Sequence, residues 1–537
     1  MKKLLCFLLS LSLLCSVLVF GTQAASQEDP LKLIVASDLH WRKDSEVHSQ
    51  RFFHPRESLG QVSAISPLIV DRFLQDAAAS DADFLLLTGD LTDMGNVQDS
   101  TAFAAVLASF EAQTGKQIFV INGNHDLDMQ DDVPSYSMDH VQFREIYHQF
   151  GYDEALAVDE ATSSYAVDLK NGYRLLALNS NEWNGNGSGA ISDALLEWVT
   201  SQVETAQKDG KKIIVMMHHE LMEHYTLEVT MDDFYTVKNY KQLCRLFDKW
   251  NIRVTFTGHH HLNDVAVYEG VHRIYDVNTS SLSSYPLTYR YVTLTDKDVV
   301  LEGRTIDKLD ITNIAPGYSD AQKDMIANDP VGYSLGCLED SLIEDYIRGF
   351  VNADQLIDTL GLAPDNFLAK AIKRILPENI LIPLYGEGET VEAKAKALGY
   401  TLPESDYETV GALITAFYAG LARGDENLGG NSPEGRLVLD AVYALLAARA
   451  AEESPFIQTL LSSKLAARLG LKMVNNLFTR GALDLILTGL MIDKAPGDCN
   501  VTLPGYGKGA DNPARRAADA FRVVLNFFRL PALFGRS

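Results

Sequence analysis

Between Leu31 and about residue 300, short apolar runs alternate with stretches of helical spacing, and this alternation limits the fold more than any other feature. The runs at 31–36, 84–88, 117–121, 173–178, 212–217 and 252–257 are β-branched or Leu-rich and read as buried strands. Between them, 66–79, 101–114, 140–150, 193–209 and 238–251 carry helical periodicity. Such an order implies an α/β sandwich with parallel pairing inside the sheet and helices covering it. After Asp310 the texture changes. Segments 338–352, 367–376, 389–398, 409–423, 435–451, 456–469, 472–487 and 513–528 hold Ala, Leu and Ile at helical intervals, split by Gly or Pro. Ile343, Tyr346, Ile347 and Phe350 form a helical stripe, and Ser432-Pro433 suits a helix start. The expectation is an α/β domain at 30–310 and an all-helical domain at 311–537, with 424–430, GDENLGG, as a flexible loop.

The N-terminus reads as an export signal. Lys2 and Lys3 precede the apolar run 4–20, and Thr22-Gln23-Ala24 offers small residues for cleavage after Ala24. A secreted or envelope-associated protein is expected, with an uncleaved anchor as the alternative. Of five cysteines, Cys6 and Cys15 fall in that signal. Cys244, Cys337 and Cys499 remain, at spacings of neither a metal knuckle nor a disulfide framework. The formal charge of −26 argues against a binder of nucleic-acid polymers, which needs Lys and Arg to neutralise phosphates. An acidic chain can still act on phosphate esters if bound cations reverse the local field.

The chemistry lies where polar residues interrupt the pattern, just past the carboxyl ends of the runs, the edge at which α/β sheets place ligands. The first run leads into Asp38-Leu39-His40 and the second into Gly89-Asp90-Leu91-Thr92-Asp93. The third leads into Gly123-Asn124-His125-Asp126, the fifth into His218-His219, and the sixth into Gly258-His259-His260-His261. An Asp after a strand is ordinarily a helix cap. Five strand ends presenting Asp, Asn and His to one rim are better explained by metal ligation, because buried carboxylates and imidazoles are costly unless paired or metal-bound.

These five segments, in this order, resemble the calcineurin-like metallophosphoesterase family, whose pattern is DxH, GDxxD, GNH followed by Asp or Glu, a His after an apolar strand, and GHxH. The resemblance spans 31 to about 301 and implies a four-layer α/β/β/α sandwich with two divalent cations (Mn, Fe or Zn) at the strand ends. It assigns Asp38, His40, Asp90 and His261 to the first metal. Asp90, Asn124, His218 and His259 go to the second, with Asp90 as the bridge. Two cations ~3.5–4 Å apart need a shared carboxylate and a bridging hydroxide between them, and residues two apart on an extended segment would face one side together. The family's V-x-x-H spacing selects His218 over His219, which is left as a donor behind the ligands; His260 is expected to point away. By the same resemblance His125 contacts the phosphoryl group and protonates the leaving group, Asp126 orients it, and Asp93 fixes a loop or supports a ligand from behind.

Purple acid phosphatases carry Tyr where this chain has Asp93, and protein Ser/Thr phosphatases use GNHE where this chain has Asp126. The full set, followed by Ser280-Ser281-Leu282 and Tyr285-Pro286, looks like the cyclic-nucleotide phosphodiesterase branch. A small nucleotide diester is therefore the expected substrate, with Tyr285 in the rim segment 280–290 expected to accommodate base or ribose. A phosphomonoesterase or nucleotidase of the same fold, and a surface interaction protein with a vestigial catalytic half, are the alternatives. His48 and His54, with Arg42, Arg51 and Arg56, could line the cleft. The basic, amphipathic tail around Arg515, Arg516, Arg522 and Arg529 could contact an envelope surface.

Overall fold

The computed structural model describes residues 29–43, 60–93, 95–127, 138–182, 187–225, 228–231, 234–348, 381–424, 433–453, 497–507 and 511. The expected signal segment, His48, His54, Arg51, Arg56, loop residues 425–430, the helical segments 367–376, 456–469 and 472–487, and the basic tail lie outside the described residues.

The strands are β1 (Leu31–Ala36), β2 (Phe84–Leu87), β3 (Gln117–Val120), β4 (Ala157–Val158), β5 (Tyr165–Asp168), β6 (Tyr173–Leu178), β7 (Lys212–Met217), β8 (Val254–Thr257), β9 (Val265–Tyr268), β10 (Ile274–Asn278), β11 (Thr288–Leu294), β12 (Asp298–Thr305) and β13 (Asn500–Pro504). They form two mixed sheets, in the orders β13-β12-β11-β1-β2-β3 and β4-β5-β6-β7-β8-β10-β9. Parallel strands β6–β7–β8–β10 make the centre of the second sheet, with antiparallel strands on both sides; in the first, parallel β1–β2–β3 end at the edge strand β3 and antiparallel strands follow on the other side of β1. Those parallel strands, β10 excepted, are the runs legible in the sequence. The antiparallel ones, such as TYRYVTL in β11, alternate polar and apolar residues and escaped that reading.

The helices are α1 (Ser66–Ala79), α2 (Val97–Thr114), α3 (His140–Ile146), α4 (Asp193–Lys208) and α5 (Tyr240–Trp250). On β7 the side chains alternate: Ile214 and Met216 enter the core shared by the two sheets, while Ile213, Val215 and Met217 pack with Leu195, Val199 and Val203 of α4 and with Leu243 and Phe247 of α5. Phe73 of α1 and Phe103 and Phe110 of α2 join the first core. Helix, sheet, sheet and helix thus make the four-layer sandwich. Asn96 caps α2, its side chain accepting from the Asp99 amide, so that helix begins four residues before the expected start.

The later helices are α6 (Asp320–Asn328), α7 (Pro330–Arg348), α8 (Val391–Ala397), α9 (Val410–Arg423) and α10 (Pro433–Glu453). Leu384, Val391, Leu413 and Leu437 centre a separate small core. This part departs from the all-helical expectation at β13, which pairs antiparallel with β12 and completes the first sheet. Among the described residues, Cys244, Cys337 and Cys499 form no disulfide. Among the described residues, no helix is long and apolar enough to cross a membrane.

Candidate metal centre

All five polar segments meet at the carboxyl ends of β1, β2, β3, β7 and β8. Asp38, His40, Asp90, His259 and His261 share an unusual feature, a positive φ, at 52°, 43°, 48°, 70° and 62°. Left-handed backbone is uncommon for residues with a Cβ, and its concentration here marks a rim whose geometry the surrounding fold imposes. It also corrects the expectation of an extended segment: Asp38 with His40, and His259 with His261, converge because alternate residues take the left-handed turn. Glycine is required beside them. A Cβ on Gly123 would stand 2.1 Å from Asp90 Oδ1, and one on Gly258 would stand 1.8 Å from Ser37 Oγ.

The first half-site contains Asp38, His40 and His261. Asp38 Oδ1 lies 3.2 Å from His261 Nε2 and 3.9 Å from His40 Nε2, and the two imidazole nitrogens are 3.4 Å apart. The second holds Asp90, Asn124, His218 and His259: His218 Nε2 is 3.2 Å from Asp90 Oδ2 and 3.1 Å from Asn124 Oδ1. Asp90 Oδ2 is also 3.8 Å from His40 Nε2, so one carboxylate oxygen stands between the two groups. These separations fit a tetrahedral shell, whose edge is about 3.4 Å for bonds of about 2.1 Å. Asp38 Oδ1 and His259 Nε2 are buried without a hydrogen-bond partner, as expected of atoms whose partner is a cation. The donor set therefore fits two divalent metals.

Electrostatics agree. Burial would lift the Asp38 carboxyl, but the imidazoles of His261 and His218 reverse that and hold it well below the ordinary range; His218, His125 and His40 do the same for Asp90. Burial would lower His40 and His218, yet Asp93, Asp90 and Asp38 around the first, and Asp90 and Asp38 around the second, raise each to about 9. His259, buried beside His219 and His218, is held neutral, the form that ligates.

The residues around the ligands divide the supporting work differently from the expectation. Asp126 does not orient His125. Its carboxylate accepts from the amides of Leu91 at 3.1 Å, Thr92 at 2.9 Å and Gly123 at 2.9 Å, tying the second motif to the third, and burial beside Asp90 pushes its pKa up to about 6. His125 is instead positioned by Asp93, whose carbonyl accepts from Nδ1 at 3.0 Å, while its own amide donates to Asp90 Oδ1 at 2.8 Å. The ring is 40% exposed, which leaves it accessible at the rim. Asp93 also accepts from His40 Nδ1 at 3.0 Å and Arg42 Nε at 2.7 Å, so it aims a candidate ligand and anchors Arg42. His218 donates through Nδ1 to the Thr88 carbonyl at 2.9 Å, turning Nε2 to the rim. Both nitrogens of His219 are engaged elsewhere, by Ser180 Oγ at 2.8 Å and the Gly187 carbonyl at 2.7 Å. His260 points away and bonds Glu220 at 3.0 Å. Tyr285 is a further correction: it is buried against Leu338, Leu342, Ala419 and Ala422 of α7 and α9.

Sequence reasoning missed a second buried cluster behind the rim. Glu220, Glu228 and His260 lie together there, and His224 bonds Asp264 at 2.7 Å and lies 3.2 Å from Asp276. The sequence signal was the acidic residues flanking His224 soon after β7, which have no motif.

Comparison with known proteins agrees with this geometry. Residues 31–263 match the family described as calcineurin-like phosphoesterase. A probable cyclic nucleotide phosphodiesterase of Rhodococcus erythropolis is 27% identical over 201 residues, covering 36% of this chain and 56% of the relative. A cAMP/cGMP dual specificity phosphodiesterase of Mycobacterium tuberculosis is 23% identical over 192 residues, covering 35% and 52%. The chain thus spans about half the length of these curated relatives. Among solved structures, a dimetal phosphatase from Danio rerio matches with a TM-score of 0.39 and 11% identity, covering 52% of this chain and 97% of that one.

Proposed function

We propose that this chain is an exported, binuclear metal-dependent phosphodiesterase that hydrolyses small nucleotide diesters, cyclic nucleotides first. The observation that carries the reading is Asp90, whose single carboxylate oxygen stands between two complete sets of metal-ligating side chains. Two bound cations would neutralise charge on the phosphoryl oxygens and make water a nucleophile at neutral pH. The chain's own residues do the rest. Asp93 and the Thr88 carbonyl fix the tautomers of His40 and His218, so Nε2 of each faces the substrate side. His125 has Nδ1 anchored on the Asp93 carbonyl, which leaves Nε2 to protonate the departing alkoxide. The relatives' phosphodiesterase names support a diester over a monoester. Hydrolysis of cyclic AMP and bis(p-nitrophenyl) phosphate by Mn²⁺-reconstituted protein, faster than of the matching monoesters, is the expected result. Faster hydrolysis of monoesters throughout the panel replaces this reading with a general phosphatase. Export rests on the Lys2–Ala24 signal, and a mature N-terminus at Ala25 in secreted material checks it.

A further inference from the structure

With Tyr285 buried in the packing between α7, α9 and its own loop, the aromatic surface beside the metals must come from elsewhere. Three rings lie near the GHHH turn. Tyr235 is stacked flat on His260, centroids 3.7 Å apart and planes 2° from parallel, so that face is occupied. Tyr225 stands 5.6 Å from His260, on the side facing away from the metals. Phe234 packs nearer to a metal ligand than Tyr235 does: its centroid is 4.7 Å from that of His259, with the planes tilted by 38°, against 5.4 Å for Tyr235. Gly187 is close to the tip of the ring: a Cβ there would come within 2.8 Å of Phe234 Cζ and 3.4 Å of Asn124 Nδ2. Phe234 therefore borders the second half-site between His259 and Asn124, and it is only half-buried.

We propose that Phe234 is the specificity-determining residue for the nucleoside part of the substrate: the base of a nucleotide diester, its phosphate held at the metals, stacks on this ring. The inference rests on the phosphodiesterase reading and deepens it. A neutral ring suits the task, because stacking uses the π-face that every base has and needs no cation from an acidic protein. It follows that the site accepts different bases with similar efficiency.

The test compares cyclic AMP with the same ribose cyclic phosphate carrying a methoxy group in place of the base. Three variants are used with both metals restored: Phe234→Ala, Phe234→Leu and Phe234→Tyr. Leu keeps apolar bulk against His259 and Gly187 but removes the flat face. We expect Ala and Leu to lower kcat/KM for cyclic AMP about tenfold, mainly through KM, to leave the base-free analogue within about twofold, and Tyr to restore the wild-type value. Metal content should stay at two per chain in all three. An equal loss on both substrates, loss of metal in Phe234→Leu, or no loss on cyclic AMP overturns the role of Phe234 while leaving the phosphodiesterase reading intact. A wild-type enzyme with both metals that hydrolyses neither compound overturns both.

Discussion

Two clusters of His, Asp and Glu lie back to back across the His259–His261 turn, and they differ in where their hydrogens are. At the rim, ligand atoms converge: Asp38 Oδ1, Asp90 Oδ2 and the Nε2 atoms of His40, His218 and His261 lie within 4 Å of one another in successive pairs, and Asp38 Oδ1 has no hydrogen-bond partner. Behind it, most carboxylate oxygens meet N–H or O–H groups, with Glu220 Oε2 the exception. Asp276 accepts from the amides of Leu221 and Met222 and from Thr257 Oγ1, and Glu228 accepts from the His224 amide and Thr236 Oγ1. Glu220, pushed up to about 8 by burial and by Glu228 beside it, keeps the proton it shares with Glu228. The same residue types therefore make a candidate cation site in one place and a largely hydrogen-bonded network in the other, where Glu220 Oε2 and His224 Nε2 alone lack a hydrogen bond among these His and carboxylate atoms. Donor balance, rather than composition, decides which.

The contrast is most exposed to failure at Asp90. Asp90→Ala removes the oxygen shared by both half-sites, so hydrolysis should fall by ~10³-fold or more, with metal lost and the fold kept. Elemental analysis should give two ions per chain in the wild type and fewer than one in the variant. Retention of two ions would break the assignment of Asp90 as the bridge.

His125→Ala separates ligation from proton transfer. It should keep both metals and slow turnover by ~10²-fold or more for a ribose leaving group, and much less for nitrophenolate, which needs no proton. Equal losses on the two leaving groups would remove the acid role.

Glu228→Gln tests the network behind. It disturbs the bonds from the His224 amide and Thr236 and unbalances His260, at a cost of ~1–3 kcal/mol that should appear as a lower midpoint of thermal or denaturant unfolding. The metal count should stay at two. A third ion in the wild type, absent from this variant, would make the rear cluster a cation site as well.

How much of this was legible in the sequence follows from the same distinction. The candidate ligands could be picked out because each sits at a strand end, where the apolar run fixes its place in space, and most of the parallel strands could be read because both of their faces are buried. Asp126 and Tyr285 were misjudged because adjacency along the chain does not set partners: Asp126 spends its oxygens on amides of two other motif residues and a neighbour. Tyr285 meets residues of α7 and α9, more than fifty and a hundred positions later in the chain, so only the tertiary fold shows it to be covered. β13 was hidden for the same reason. Its five residues carry little pattern of their own, and pairing with β12 makes them a strand. The rear cluster has no fixed spacing, since hydrogen-bond networks, unlike a coordination shell, impose none.

Protons provide the finest separation. In the metal-free protein His40 and His218 are both raised to about 9, so at pH 7.5 each carries a proton that a metal must displace. Metal binding at that pH should release protons, measurable by calorimetry in buffers of different ionisation enthalpy. The rear cluster keeps its protons in the metal-loaded enzyme. Glu220 at about 8 lies above the ordinary 4.5, and His260 at about 9 lies above 6.5. For both, the folded state binds more protons than the unfolded state between the two values, so stability falls as pH rises through each window, from about 4.5 to 8 for Glu220 and from about 6.5 to 9 for His260. Glu220→Gln replaces the ionisable proton with an amide donor to Glu228 and should remove the first of these declines while leaving the second. With metals saturated, the slope of unfolding free energy against pH between 5 and 8 should therefore be shallower in the variant, and at pH 9 the variant should be at least as stable as the wild type. An unchanged slope would mean that Glu220 is already ionised at neutral pH, and the rear cluster would then need a cation just as the rim does.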